Sequence, residues 1–183
     1  MADVTFITGN QSKADFLAKY LDHPVAHQKV ELDEIQSLDL RRITEHKAQQ
    51  AYEIVGAPVL VEDIGLEFQA LGRLPGPFVK WFIEDMGLEG MCRLLDGYND
   101  RAATARICFA YCDGARLKLF EGSIQGTIAD SPRGADGFGW NPIFIPDAAD
   151  KTFAEMSEEE TERFSLRTTT VFPQIKSFLN NKE

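Results

Sequence analysis

The chain has 183 residues, 44% of them hydrophobic, and a formal net charge of −10. That length suits one domain or two lobes sharing a core, and the acidic balance argues against nucleic-acid binding while leaving room for a local basic pocket that takes a small polyanion. No apolar stretch approaches the ~20 residues of a membrane-spanning helix, the start MADVTFITGN lacks the basic and apolar regions of a secretory leader, and Cys92, Cys108 and Cys112 form no CxxC, so reduced thiols and a cytoplasmic setting are expected.

Val4 to Thr8 reads as a short buried strand rich in β-branched residues. Gly9-Asn10 turns it, and Asn10 is a good N-cap for a helix whose apolar stripe is Phe16, Leu17, Tyr20 and Leu21. A β segment near Val25 to Leu32 leads to a second helix from about Asp39 to Val55, closed by Gly56 and Pro58. The strand Val59 to Glu62 follows, then a Gly/Pro-punctuated loop over residues 71–78 and two short helices up to Leu95. Thr104 to Cys112 and Leu117 to Ile128 read as long strands joined through Asp113-Gly114. A second long loop, DSPRGADGFGWNP, covers residues 130–142. Ser157 to Glu160 reads as a capping box opening a helical C-terminus, which Pro173 should bend or interrupt. Helices and strands alternate first and a hairpin follows, so the expectation is a mixed α/β sheet.

Three stretches could carry chemistry. In TFITGNQSKADFLAKYL a strand, a glycine turn and a helix N-terminus make either an anion site or a plain turn. Lys13 falls in the first helical turn, where a cation opposes the dipole and a nearby phosphate would relieve it. The second is the acidic pair Glu62-Asp63 at the end of an apolar run. If the strand continues, the two side chains point to opposite faces, so one could do chemistry while the other supports it. A carboxylate there could hold Mg²⁺, with Glu31, Asp33 and Glu34 as further acids, or the acids are simply solvated. Third, PGPFVKWF and GFGWNPIF pair aromatics with Gly and Pro. Such loops can approach a ligand closely and stack on a base, whereas core filling is the plainer role for Phe82 and Phe144.

Together TGNQSK, ELDEIQ, VLVEDIGLEFQALGRLPGPFVKWF, GFGWNPIF and TFAEM…FSLR, in this order and running end to end, resemble the inosine triphosphate pyrophosphatases. That resemblance implies an elongated α/β fold, a mixed central sheet flanked by helices with two lobes around a deep cleft, forming one nucleotide-hydrolysing domain over residues 1–183 and usually a homodimer. It implies Mg²⁺-dependent attack of water on the α-phosphorus of non-standard purine nucleoside triphosphates such as ITP, dITP and XTP. Thr8, Gly9, Asn10 and Lys13 match the phosphate-binding turn, Lys13 also serving catalysis. Glu34 and Asp63 match the metal-binding acids, with Asp63 also orienting or deprotonating the water and Glu62 a neighbouring acid that assists. Lys47 and Lys80 match lysines facing the phosphates. Phe138, Gly139 and Trp140 match the base-stacking loop, and Ser165 and Arg167 the ends of a base-reading Ser-His-Arg.

The departures gather at the base end. Asn141 replaces a carboxylate, Leu166 the histidine, and Thr161 an expected lysine. Asn141 donates as well as accepts, and Leu166 does neither. Rewriting three such groups should shift base preference, because sites that read a base by hydrogen bonds reject analogues that leave groups unpaired. A nucleotide-binding protein of the same fold with little catalysis is the alternative.

Overall fold

Residues 4–135 and 138–181 are described in the computed structural model; Asp136 and Gly137 of the second long loop lie outside the described residues. Strands β1 (Thr5–Ile7), β2 (Ala26–Gln28), β3 (Val59–Phe68), β4 (Pro75–Gly76), β5 (Ala102–Cys112), β6 (Leu117–Ile128) and β7 (Phe144–Pro146) make one seven-stranded sheet. Its order is β2-β1-β3-β5-β6-β7, with β4 on β3. The sheet is mixed: β1 is parallel to β2 and β3, while β4 and β7 are antiparallel to β3 and β6. Helices α1 (Gln11–Leu21), α2 (Leu40–Val55), α3 (Val79–Arg93), α4 (Glu158–Phe164) and α5 (Phe172–Asn180) flank it. The mixed α/β class expected from the sequence is the one found. Among the described residues no helix is long and apolar enough to cross a membrane.

The chain forms two compact units, one made of Met1–Asp63, Ile107–Gly122 and Arg167–Glu183, the other of Ile64–Arg106 and Ser123–Leu166. In the first, strand alternation sorts side chains onto two helix-covered faces. Val59 and Val61 of β3, with Ala110 and Cys112 of β5, pack on Ala48 and Ala51 of α2. On the other face Phe6 packs on Phe109 and Phe109 on Phe172, which also contacts Phe16 and Tyr20, with ring centroids 5.2 to 6.0 Å apart. Helix α1 buries Ala14, Leu17 and Leu21, a spacing that keeps one stripe toward the sheet. Helix α2 starts on Asp39, whose side chain accepts from Arg41 N–H, and ends on Gly56 at φ 68°, a left-handed C-cap.

In the second unit Arg101 donates to the carbonyls of Cys92, Ile128 and Ala129, tying the end of α3 to β6. Trp140, Phe144 and Phe153 form an aromatic cluster. Ser157 and Glu160 make the expected reciprocal capping box of α4.

Several boundaries differ from the sequence reading. β3 does not stop at Glu62; it runs on to Phe68, carrying both acids inside a strand. The loop over 71–78 contains β4, and the two short helices after it are α3, broken at Gly87 with φ 67°. Pro173 neither bends nor interrupts a helix. It lies in the first turn of α5, where its missing N–H costs nothing. The break falls earlier, at Ser165, and a π-helical turn, Arg167–Val171, precedes α5.

Candidate active site

β1 delivers its last residues to the start of α1. Thr8 N–H donates to the Gln28 carbonyl (3.0 Å), which ties the turn to β2. Asn10 N–H donates to Thr8 Oγ1 (3.1 Å), and Lys13 N–H donates to Asn10 Oδ1 (3.3 Å), so Asn10 is the N-cap as expected. No acidic residue occupies the first turn of α1, which leaves the positive end of the helix dipole available to an anion. Gly9 gives that turn a close neighbour: a Cβ there would lie 3.3 Å from Lys29 Cδ. Lys29 is therefore a cation beside the turn that sequence reasoning missed. The signal was the parallel register Ile7↔Gln28, which a single sequence does not reveal.

Glu62 and Asp63 point to opposite faces of β3 and collect different partners. Lys13 Nζ donates to Glu62 Oε1 (2.9 Å), while Arg167 donates through Nε to Oε2 (2.6 Å) and through Nη2 to Oε1 (2.8 Å). Burial of Glu62 would raise its pKa, but Arg167 and then Lys13 outweigh burial and lower it from the usual 4.5 to about 2. Burial would likewise lower the pKa of Arg167, and Glu62 raises it instead. A cavity of about 190 Å³ adjoins this triad, walled by Phe6, Phe16, Phe109 and Phe172. Its low polarity strengthens the ionic contacts beside it.

On the other face Lys47 Nζ donates to Asp63 Oδ2 (3.0 Å) and Glu34 Oε1 (3.3 Å). Burial opposes the charge on Lys47, yet Asp63 and Glu34 together raise its pKa. Two carboxylates from separate segments thus converge on one positive charge. The same hard oxygens suit a divalent cation such as Mg²⁺, which takes one or two carboxylates plus waters and phosphate oxygens. Among the described residues no group of three or more metal-ligating side chains converges, so water and substrate oxygens would complete its shell.

The remaining expected residues lie in the second unit, apart from Arg167. Lys80, on α3, pairs loosely with Glu84 (3.9 Å) and lies 5.3 Å from the Trp81 ring centroid. Trp81 is exposed. In the glycine-rich loop Phe138 is 74% exposed and Gly139 has φ 61°. Trp140 is buried with its ring centroid 5.3 Å from that of Phe144 and 6.2 Å from that of Phe153. Asn141 N–H donates to the Phe138 carbonyl, and Ala154 N–H donates to the Asn141 carbonyl. Thr161 lies within α4, Ser165 caps its C-terminus, and Leu166 is buried. The structure thus gathers Asn10, Lys13, Glu34, Lys47, Glu62, Asp63 and Arg167 in the first unit, with Arg167 engaged by Glu62.

A family model described as the Ham1 family matches residues 4–172. The chain belongs to the Ham1 family. Relatives of this Ham1 chain include a protein named inosine triphosphate pyrophosphatase 1 from Trypanosoma cruzi, 46% identical over 168 residues and covering 90% of this chain and 86% of that one. Another, named dITP/XTP pyrophosphatase, comes from Methanopyrus kandleri and is 40% identical over 185 residues, covering 97% of each. The Ham1 protein structure of Staphylococcus aureus matches with a TM-score of 0.88 at 24% identity over 100% of both chains. That of Coxiella burnetii matches at 0.86 and 24%, also over 100% of both. These two likenesses establish the Ham1 fold.

Proposed function

We propose that this Ham1 chain hydrolyses non-standard purine nucleoside triphosphates of the ITP, dITP and XTP class to the monophosphate and pyrophosphate, with Mg²⁺, as one domain over residues 1–183. The reading rests on one observation: two ion-pair clusters lie on opposite faces of β3, Lys13 and Arg167 on Glu62 next to the start of α1, and Lys47 bridging Asp63 and Glu34 on the other side. Relatives named inosine triphosphate or dITP/XTP pyrophosphatase support the substrate class. A homodimer in the cytoplasm is part of the same reading, carried by the family resemblance.

The interlocked cations and acids balance, three against three. They therefore leave the several charges of a triphosphate uncompensated, which argues for a divalent ion held by Glu34 and Asp63. When bound, such an ion neutralises phosphate charge and lowers the pKa of nearby water. Gly9 and the first turn of α1 present backbone donors to the phosphates, while the bonds of Thr8 and Asn10 shape that turn. Lys13 stabilises charge developing on the phosphoryl oxygens. Asp63 orients the attacking water and takes its proton, Lys47 faces the phosphates, and the family resemblance assigns Lys80 to phosphate binding. Glu62, held ionised by Arg167 and Lys13, assists by holding those cations in place. The family resemblance assigns base recognition to the Phe138-Gly139-Trp140 loop with Ser165, and to Arg167. Asn141, Leu166 and Thr161 shift the base preference.

The deciding measurement is pyrophosphate release from ITP, XTP, dUTP and the standard triphosphates with Mg²⁺, repeated with Asp63→Asn. We expect release from the inosine and xanthosine substrates with a broadened or displaced base profile, and a loss in the variant of about 10²–10⁴-fold. Nucleotide binding without pyrophosphate release from the native chain would replace the enzyme with a binding protein, and orthophosphate release would replace it with a phosphatase.

A further inference from the structure

Glu34 belongs to residues 29–39, where the chain has neither helix nor strand. Among the described residues, 30–36 enter no turn or loop backbone–backbone hydrogen bond. An acid meant to meet a cation needs a better-defined perch than that. Two contacts supply one. Leu32 packs on the apolar cluster of Ala48, Ala51, Val59 and Val61. Next to it, Asp33 and Gln50 bond in both directions: Asp33 N–H donates to Gln50 Oε1 (2.7 Å), and Gln50 Nε2 donates to Asp33 Oδ2 (3.1 Å).

Gln50 follows Lys47 by three residues on α2, so both side chains leave the same helix face. Lys47 also holds Glu34, at 3.3 Å, but that ammonium is shared with Asp63 and must reorganise when phosphate or a metal ion arrives. The Gln50 carboxamide carries no charge and stands outside that exchange. Each of its two bonds is exposed and competes with water, yet the closed pair fixes both the position and the orientation of the Asp33 peptide, one residue from Glu34.

We propose that Gln50 is a positioning residue: it clamps Asp33 to α2 and so holds Glu34 beside Lys47 and Asp63. The catalytic consequence rests on Glu34 acting as a metal-binding acid, as proposed above; the clamp itself does not.

The test uses the full chain and three variants, Gln50→Leu, Gln50→Glu, and Gln50→Glu combined with Asp33→Asn. Gln50→Leu removes both bonds, while Gln50→Glu faces one carboxylate with another. The double variant rebuilds the ring, because the new amide and its backbone N–H can both donate to the new carboxylate. Amide hydrogen exchange on the metal-free protein reads the clamp directly. In the two single variants, exchange of the Asp33 amide, which donates to Gln50 Oε1, is expected to speed about tenfold while the core strands keep their protection, and the double variant is expected to return toward native. Mn²⁺ affinity, read by electron paramagnetic resonance, and kcat/KM for ITP with Mg²⁺ are expected to fall roughly tenfold with the single variants and recover with the double, the scale of lost outer-shell support.

Unchanged exchange in both single variants, or no recovery in the double, overturns the clamp. If exchange responds as expected but Mn²⁺ affinity does not move, the link from Gln50 to Glu34 is wrong. If exchange responds while the native chain releases no pyrophosphate, the clamp stands and the pyrophosphatase reading fails. Normal hydrolysis with unmoved exchange means the reverse: the enzyme stands and the clamp fails.

Discussion

The Glu62 side chain is only 6% exposed, and it stays ionised because two cations reach it from α1 and from the turn before α5. Its pKa, about 2 in the folded chain against the usual 4.5, makes stability depend on pH. A lowered carboxylate pKa contributes stability that is complete above the unfolded value and disappears as pH falls through the folded one. The window is therefore roughly pH 5 down to pH 2, and the contribution is on the order of 3 kcal/mol. Glu62→Gln leaves Arg167 and Lys13 without their counter-charge and is expected to cost about 3 kcal/mol at pH 7. Urea unfolding at pH 7 and pH 3 checks the sign: the gap between native and variant should shrink markedly at pH 3. An equal gap at both would mean that the carboxylate charge is not what Glu62 supplies. From the sequence the alternation of Glu62 and Asp63 was legible, because strand geometry alone dictates it. The partner Arg167, 105 residues further on, was not, since no local pattern encodes a contact at that separation.

Elements that carry their own start and stop signals were readable; those fixed by a neighbour were not. Asn10, Asp39, Gly56 and the Ser157–Glu160 box mark helix ends through bonds made within a few residues. Asp113 likewise builds its turn locally, accepting from the N–H groups of Ala115 and Arg116. The length of β3 was hidden because two adjacent acids look like a strand end, whereas lysines and an arginine from elsewhere allow them inside the sheet. The π-helical turn Arg167–Val171 was hidden for a similar reason: its shape answers to β6. A Cβ on Gly122 would overlap the Thr170 hydroxyl and lie 2.5 Å from Thr170 Cβ, so the turn that presents Arg167 rests on bare backbone. Gly122→Ala is accordingly expected to cost about 1–3 kcal/mol by overpacking. It should also lower kcat/KM for ITP well below the unfolding temperature, because the displaced turn carries Arg167 away from Glu62. Thermal unfolding together with kinetics at 25 °C tests both halves, and a destabilised variant with native kcat/KM would show that the turn relaxes without moving Arg167.

Across the whole molecule 29 acidic residues face 19 lysines and arginines, and a nucleoside triphosphate must approach against that excess. The composition made this legible, but not the cancellation within the site, where Lys13, Lys47 and Arg167 are each already paired with an acid. Those pairs give no strong positive field to draw a polyanion in from a distance. Long-range repulsion between chain and substrate is screened by salt, with a Debye length of about 8 Å at physiological ionic strength, while the short contacts inside the site are screened far less. With free Mg²⁺ held saturating, kcat/KM for ITP is therefore expected to rise about two- to fivefold as NaCl goes from roughly 20 to roughly 150 mM, the direction set by like-charge steering. A positively steered site behaves in the opposite way, losing association rate as salt increases. A several-fold fall over the same range would mean that Lys29 and its neighbours at the start of α1 dominate the approach, and that the balance among the buried pairs does not govern how substrate arrives.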